Sequence, residues 1–280
     1  MRSKQCLVKG SVSLLTTFFF FFPANNTYGQ GRKLKKIQHI INQATKEHLV
    51  GVTVYIKTAE GKEWIGASGY QDKEGGKPME ASGIFATGSI GKMYNAVAVM
   101  KLMEAGRLQL DDRITKYLPK EITSNLPHGD SITIRHLLSN QSGLFNYEND
   151  PVLNELYLSG RLKLDTLTHE NVLKRYVFTH PSTDFPGTKY QYSSTNFMLL
   201  AMIMDGLISD GHSSFLRREV LQANGFMDTY YRETPPHNLV KHYGDLDKDG
   251  ENEDLTAQTI ETTNWFIGDD GIYAPIAEAA

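Results

Sequence analysis

The sequence predicts an α+β protein, with strand and helix segregated along the chain. Two observations carry this. The stretch "VGVTVYIKTAEGKEWIGASGYQD" at 50–72 alternates and is β-branched around a Glu60-Gly61 turn, which is a β-hairpin pattern. Residues from about 110 to 235 are mostly helical fragments joined by short turns. Between them, "FATGSIGKMYNAVAVMKLMEAGRL" at 85–108 is a helical stretch that opens on Ser89.

The 280 residues are 40% hydrophobic and 22% charged, with a formal net charge of −3. That is a globular composition, long enough for one large domain or two interleaved ones. No basic block stands out, so nucleic acid is not an expected partner.

In chain order, residues 1–29 come first. Arg2, Lys4 and Lys9 precede the apolar run "SVSLLTTFFFFFPA", and small and polar residues follow. This is the pattern of a secretory signal peptide, with an uncleaved anchor as the alternative; the run is short against the roughly 20 residues of a membrane span. The expectation is a periplasmic or secreted protein with no stable membrane span after cleavage. The single cysteine, Cys6, lies in this segment, so a cleaved chain has no disulfide and no thiolate chemistry.

From Lys33 to Leu49, Leu34, Ile37, Ile40, Ile41 and Ala44 fall at helical spacing. The hairpin follows, then a Gly/Pro-rich loop, "KEGGKPMEASG". In the helix after Ser89, Met93, Val97, Met100 and Met103 recur at helical intervals, and Gly106 stands where a C-terminal cap belongs. Thr133 is a cap for "IRHLLSN", with Gly143 as its end, and "NFMLLAMIMDGL" is apolar on nearly every side, as a helix buried all round would be.

The chemistry centres on Ser89-Ile90-Gly91-Lys92. Residues at i and i+3 share a helix face, and a serine in the first turn sits near unpaired backbone N–H groups and the positive end of the dipole. A serine hydroxyl attacks only when something takes its proton. A lysine can do so when neutral, which requires its pKa to fall from about 10.4 toward 7 by burial or neighbouring cations. On spacing alone, a helix cap followed by a surface cation is the commoner source of this pattern.

The order of the surrounding segments decides between them. "LMEAGRLQLDDRITKYLP", "ITIRHLLSNQSGL" at 132–144, "PGTKYQYSSTNFMLL" at 186–200 and "GDDGIYAPIAEAA" at 268–280 follow Ser-x-x-Lys. In this order they resemble the serine β-lactamase and penicillin-binding family, in its branch of class C β-lactamases, D-alanyl-D-alanine carboxypeptidases and related esterases. The resemblance runs from about Lys33 to the last residue. It implies a β-lactamase/transpeptidase-like fold, with a mostly helical domain packed on an antiparallel-sheet α/β domain. By position it implies Ser89 as the acylated nucleophile, Lys92 as its proton acceptor, and Tyr192, first residue of the family's Tyr-x-Asn, as the group that relays the proton to the leaving group.

Two departures stand out. The family's asparagine is Ser194 here; in the substrate-binding place, a hydroxyl has a shorter reach and one donor fewer than an amide. The family's third motif, Lys-Thr-Gly or His-Thr-Gly on a strand, is not among the 280 residues. In the family that strand supplies the second oxyanion donor, and losing one such donor costs on the order of 10²–10³ in rate. The sheet is therefore expected to be incomplete, the hairpin left as a two-stranded sheet with open edges, and the chain to be truncated relative to its relatives.

Other patterns are weaker. Asp245, Asp247 and Asp249 alternate before Gly250 like the start of a calcium loop, but position twelve is Thr256 and not Glu, so the EF-hand reading fails. A looser structural calcium site at a hairpin tip and a solvated acidic turn both stay open. His237 and His242 lack a third zinc ligand, His136 reads as structural, and "NQS" at 140–142 matches a glycosylation acceptor only by pattern.

The reading divides the chain into a signal peptide (1–29), the first part of an α/β domain (30–86), a helical domain (87–261) and a return to the α/β domain (262–280). It expects a serine hydrolase acting through an acyl-enzyme, without cofactor, on a small-molecule ester or amide, a β-lactam or a peptidoglycan peptide. The alternatives are a non-catalytic penicillin-binding or peptidoglycan-sensing module, a degenerate homologue without turnover, and a calcium-stabilised adhesion module. The sequence leaves the oligomeric state open.

Overall fold

The computed structural model describes residues 27–245 and 250–280. The predicted signal peptide falls almost entirely outside them; helix α1 (Thr27–Glu47) begins within its last residues. The Leu34–Ala44 periodicity lies in this helix, which packs on strand β2 (Glu63–Asp72). Gln38 Nε2 donates to Ala67 O at 3.0 Å, and Thr45 Oγ1 lies 2.8 Å from Ser68 Oγ.

The hairpin forms as expected. Strand β1 (Gly51–Lys57) pairs antiparallel with β2, from Gly51 opposite Gly69 to Lys57 opposite Glu63, and the turn carries Gly61 at φ 78°. The loop after it is more ordered than its Gly/Pro content implies. Lys77–Pro78 forms a two-residue strand, β3, which pairs with β2 past an irregularity between Tyr70 and Asp72. The sheet therefore has three strands, β1–β2–β3, and not two. Gly69 makes the bend: its φ is +78°, and a Cβ there would lie 2.3 Å from Val50 O.

A second sheet was not legible. Strand β4 (Ile84–Ala86), β5 (Tyr230–Tyr231) and β8 (Ile272–Pro275) pair antiparallel in the order β4–β8–β5. Elements of two to four residues carry too little alternation to register, and β5 comes from the stretch read as helical. Strands β6 (Tyr243–Gly244) and β7 (Glu253–Asp254) form a small hairpin around the acidic loop.

The helical region comprises α2 (Gly91–Glu104), α3 (Lys120–Thr123), α4 (Ile134–Leu138), α5 (Pro151–Leu158) and α6 (His169–Tyr176). It continues with α7 (Ser194–Leu207), α8 (Gly211–Leu216) and α9 (Thr256–Trp265), and α10 (Ile276–Ala279) ends the chain. Helix α7 is buried from Ser194 to Ala201 and again at Ile203 and Met204, the all-round burial its composition predicts. Truncating a fully buried leucine there, such as Leu199, to alanine costs roughly 2–5 kcal/mol in comparable cores.

Thr133 caps α4 in a reciprocal box with His136: Thr133 Oγ1 accepts from His136 N, and His136 Nδ1 accepts from Thr133 N, both at 3.3 Å. The helix ends at Leu138, and the left-handed residue that follows its cap is Asn140 (φ 54°), ahead of the expected Gly143, because asparagine also tolerates that conformation. Gly106 (φ 68°) does follow the end of α2.

On α2 the residues Met93, Val97 and Met100 are exposed, at 61%, 44% and 46%. The buried face is Gly91, Lys92, Tyr94, Asn95, Ala98, Val99 and Leu102, and it packs against α7. Among the described residues no helix is long and apolar enough to cross a membrane.

Candidate active site

Pairing of β4 with β8 brings two distant turns together. Thr87 is tied to Ile272 O by its backbone N–H (2.9 Å) and its hydroxyl (3.1 Å). Gly88 then turns the chain with φ 56°, and Ser89 stands in a single 3₁₀ turn that runs into α2. Across from it lies the turn 268–271. Gly268 N donates to Tyr231 Oη at 3.2 Å, and Arg232 N donates to Gly271 O at 2.7 Å.

Gly91 explains the third residue of Ser-Ile-Gly-Lys. Its φ is an ordinary helical −49°, but a Cβ there would lie 2.7 Å from Asp270 O and 3.0 Å from Asp270 Cα. The start of α2 therefore abuts the 268–271 backbone directly. Gly91→Ala improves local helix propensity by up to about 1 kcal/mol, yet the clash outweighs it, since overpacking costs about 1–3 kcal/mol. A lower melting temperature is expected; a value equal to wild type would refute the close-approach argument.

Lys92 is 6% exposed. Its Nζ lies 2.9 Å from Ser89 Oγ and donates to Asp269 O at 2.9 Å. The Tyr192 and Phe197 rings lie under it, with centroids at 5.0 and 5.9 Å. Tyr192 Oη lies 2.8 Å from Ser89 Oγ on the other side. The three residues that the family resemblance picked out, 103 positions apart at the extremes, thus meet at one hydroxyl.

The Tyr192 segment is held by Asn140. Gln191 N donates to Asn140 O (2.7 Å), and Ser193 N and Asn196 Nδ2 donate to Asn140 Oδ1 (3.1 and 3.0 Å). Buried in this way, Asn140 is no accessible glycosylation acceptor. Ser194 is buried too: its N–H donates to Asn146 Oδ1 (3.1 Å) and its hydroxyl to Glu148 Oε2 (2.8 Å).

Several residues at the site were not singled out from the sequence: Asn140, Tyr147, Glu148, Asp269 and Asp270. The available signal was a pair of acids between Gly268 and Gly271 in an otherwise apolar stretch. Asp269 is fully buried; it accepts from Tyr147 Oη, and its Oδ1 has no partner among the described residues. Burial pushes its carboxyl up to about 7 against the pull of Lys92, with Glu148 adding to the rise. Burial likewise raises Asp270 to about 6, although Gly271 N–H and Lys92 oppose it.

Of the calcium pattern, Asp247 and Asp249 lie outside the described residues, and Asp245 accepts from Gly250 N at 3.1 Å. No group of three or more metal-ligating side chains occurs among the described residues.

The family model described as Beta-lactamase matches residues 37–278. The chain belongs to the Beta-lactamase family. Esterase EstB of Burkholderia gladioli is 27% identical over 216 residues, covering 75% of this chain and 54% of the esterase. Penicillin-binding protein 4* of Bacillus subtilis is 24% identical over 250 residues, covering 86% of this chain and 51% of that protein. The chain spans about half the length of these curated relatives. Among solved structures, a D-stereospecific amidohydrolase from Streptomyces superposes with a TM-score of 0.73 at 21% identity, over 86% of this chain and 69% of the other. The fold is thus of the β-lactamase/transpeptidase type.

Proposed function

We propose that this protein is a serine hydrolase that opens an ester or amide carbonyl through an acyl-enzyme on Ser89. The observation that carries the reading is the convergence of Lys92 Nζ and Tyr192 Oη on Ser89 Oγ, at 2.9 and 2.8 Å. Both lie within the reach that proton transfer requires. The names of the relatives, an esterase, a penicillin-binding protein and an amidohydrolase, agree with acyl-transfer chemistry.

In this mechanism Ser89 Oγ bonds to the substrate carbonyl carbon as its proton passes to Lys92 Nζ. Collapse of the tetrahedral intermediate breaks the bond to the leaving oxygen or nitrogen, which takes the proton through Tyr192. Water then attacks the Ser89 ester, gives up a proton along the same path and restores the hydroxyl. The Asp269 carbonyl and the two rings around Nζ keep Lys92 aimed at Ser89 throughout. The basic head and apolar run of residues 1–29 support export, to the periplasm or beyond, as the setting.

The test compares wild type and Ser89→Ala on p-nitrophenyl butyrate, a D-alanyl-D-alanine peptide and a chromogenic cephalosporin. Turnover of at least one, lost in the variant, supports the reading and ranks the substrate classes. A penicillin adduct that forms and persists without turnover of any substrate would favour a penicillin-binding module instead. Equal rates in both proteins would remove Ser89 from the chemistry.

A further inference from the structure

Behind the 268–271 turn runs a line of buried polar groups that the acyl-enzyme mechanism does not use. His212, in α8, is 2% exposed and is engaged at both ring nitrogens. Its Nδ1 lies 2.7 Å from Asp205 Oδ1, which also accepts from His212 N at 2.8 Å. Its Nε2 lies 3.0 Å from Tyr231 Oη and 3.4 Å from Ser213 Oγ. Asp205 stands near the end of α7 and is half-exposed, so the line starts at the surface and runs inward.

Tyr231 is where this line meets the reaction centre. It is fully buried on β5, opposite Ile272 of β8. Its hydroxyl accepts from Gly268 N (3.2 Å), and its ring closes on Gly271, where a Cβ would lie 2.6 Å from Tyr231 Cε2. One side chain therefore fixes both glycines that bracket Asp269, whose carbonyl accepts from Lys92 Nζ at 2.9 Å. The same hydroxyl lies 3.4 Å from Asn95 Oδ1, and Asn95 Nδ2 donates at 3.1 Å to Gly91 O in the first turn of α2. Tyr231 thus touches both of the walls between which Lys92 is aimed.

The direction of these bonds follows from Asp205. A neutral imidazole has one N–H, and opposite a carboxylate that proton sits on Nδ1. Nε2 is then the acceptor, and the Tyr231 hydroxyl donates to it. With its proton committed to His212, Tyr231 Oη presents its lone pairs to Gly268 N–H. Without His212 the hydroxyl proton turns to Asn95 Oδ1, 3.4 Å away, and the lone pairs turn with it, out of line with Gly268.

We infer that Asp205, His212 and Tyr231 form a positioning relay that sets the aim of Lys92 at Ser89 through the 268–271 turn. The inference deepens the hydrolase reading and rests on it for the reaction the relay serves. None of the three is bonded to Ser89 or Lys92, so each acts by position, keeping the Asp269 carbonyl where Nζ meets it. A misplacement of about 1 Å caused far from the chemistry can cost about 10²-fold in rate. A small shift of this turn is enough.

The test is phosphonylation by a fluorophosphonate, with the maximal rate constant (kinact) read apart from the half-saturating concentration (KI) and the melting temperature measured alongside. Tyr231→Phe and His212→Leu are expected to lower kinact about tenfold and to leave KI unchanged. His212→Gln offers an amide oxygen in place of Nε2 as acceptor, and is expected to keep kinact within about threefold of wild type while melting lower. Asp205→Ala, altered at the half-exposed end and so least able to disturb folding, is expected to lose about threefold. Lower melting temperatures with kinact unchanged, or equal losses in His212→Leu and His212→Gln, show a structural role only and overturn the relay. A wild type that reacts no faster than Ser89→Ala overturns the hydrolase reading and the relay with it. A reactive wild type whose kinact is matched by Tyr231→Phe and Asp205→Ala overturns the relay alone.

Discussion

Lys92→Met is expected to slow acylation of Ser89 by about 10²–10⁴-fold, the range that a positioned proton acceptor contributes. Methionine fills nearly the same volume on a side chain that is 6% exposed, so packing against Tyr192 and Phe197 survives. What is lost is the nitrogen 2.9 Å from Ser89 Oγ and the donor to Asp269 O. Leaving that carbonyl unpaired costs about 1–3 kcal/mol, a drop in melting temperature that is measured alongside the rate. Phosphonylation by a fluorophosphonate within tenfold of wild type, on a folded variant, would show that Lys92 is not the base.

The second large effect is on stability against pH. Asp269 has a folded-state pKa of about 7 against an ordinary value of 3.8. Between those values the native chain holds a proton that the unfolded chain has released. Stability from this group is therefore complete below about pH 4 and is lost as the pH rises through 7. At about 1.4 kcal/mol per pH unit, the shift is worth on the order of 4 kcal/mol. Asp270, raised to about 6, adds to the same slope over a narrower window. Burial lowers His136, His169 and His242, which slope the other way in this window, so the test is a difference: the melting temperature of Asp269→Asn relative to wild type is expected to rise from pH 5 to pH 8. A variant whose melting temperature tracks that of the wild type across this range contradicts the buried-carboxyl account.

Much of the site was legible because its chemistry is local or falls in segments of recognisable order. Ser89 and Lys92 are one turn apart, and Tyr192 stands at the family's Tyr-x-Asn position. The buried face of α2 is not marked by its apolar periodicity, for a physical reason. Its inward side carries Gly91, Lys92 and Asn95, polar or small residues whose burial is secured by hydrogen bonds and by the approach of Asp270. The recurring Met93, Val97 and Met100 stand on the outward side instead. A helix that builds a site is where the rule of apolar burial should fail.

The sheet β4–β8–β5 was hidden for a different reason. Its strands are two to four residues long, and what defines them is pairing across nearly 190 positions, as between Phe85 and Ala274. Asp269 was hidden because the titration of a carboxyl depends on its surroundings. Nothing in Gly-Asp-Asp-Gly says that one acid is sealed against Tyr147 and that the other lines a cavity. Asn140 was seen only as part of a glycosylation pattern, since a side chain that cradles a distant backbone leaves no local trace.

The central claim is that Lys92 and Tyr192 activate Ser89. It is tested most directly by the intact mass of the chain after incubation with a fluorophosphonate, beside Ser89→Ala. The account predicts a single adduct on the wild type and none on the variant. An unmodified wild-type mass from a folded sample, or an adduct of equal yield on Ser89→Ala, would contradict it.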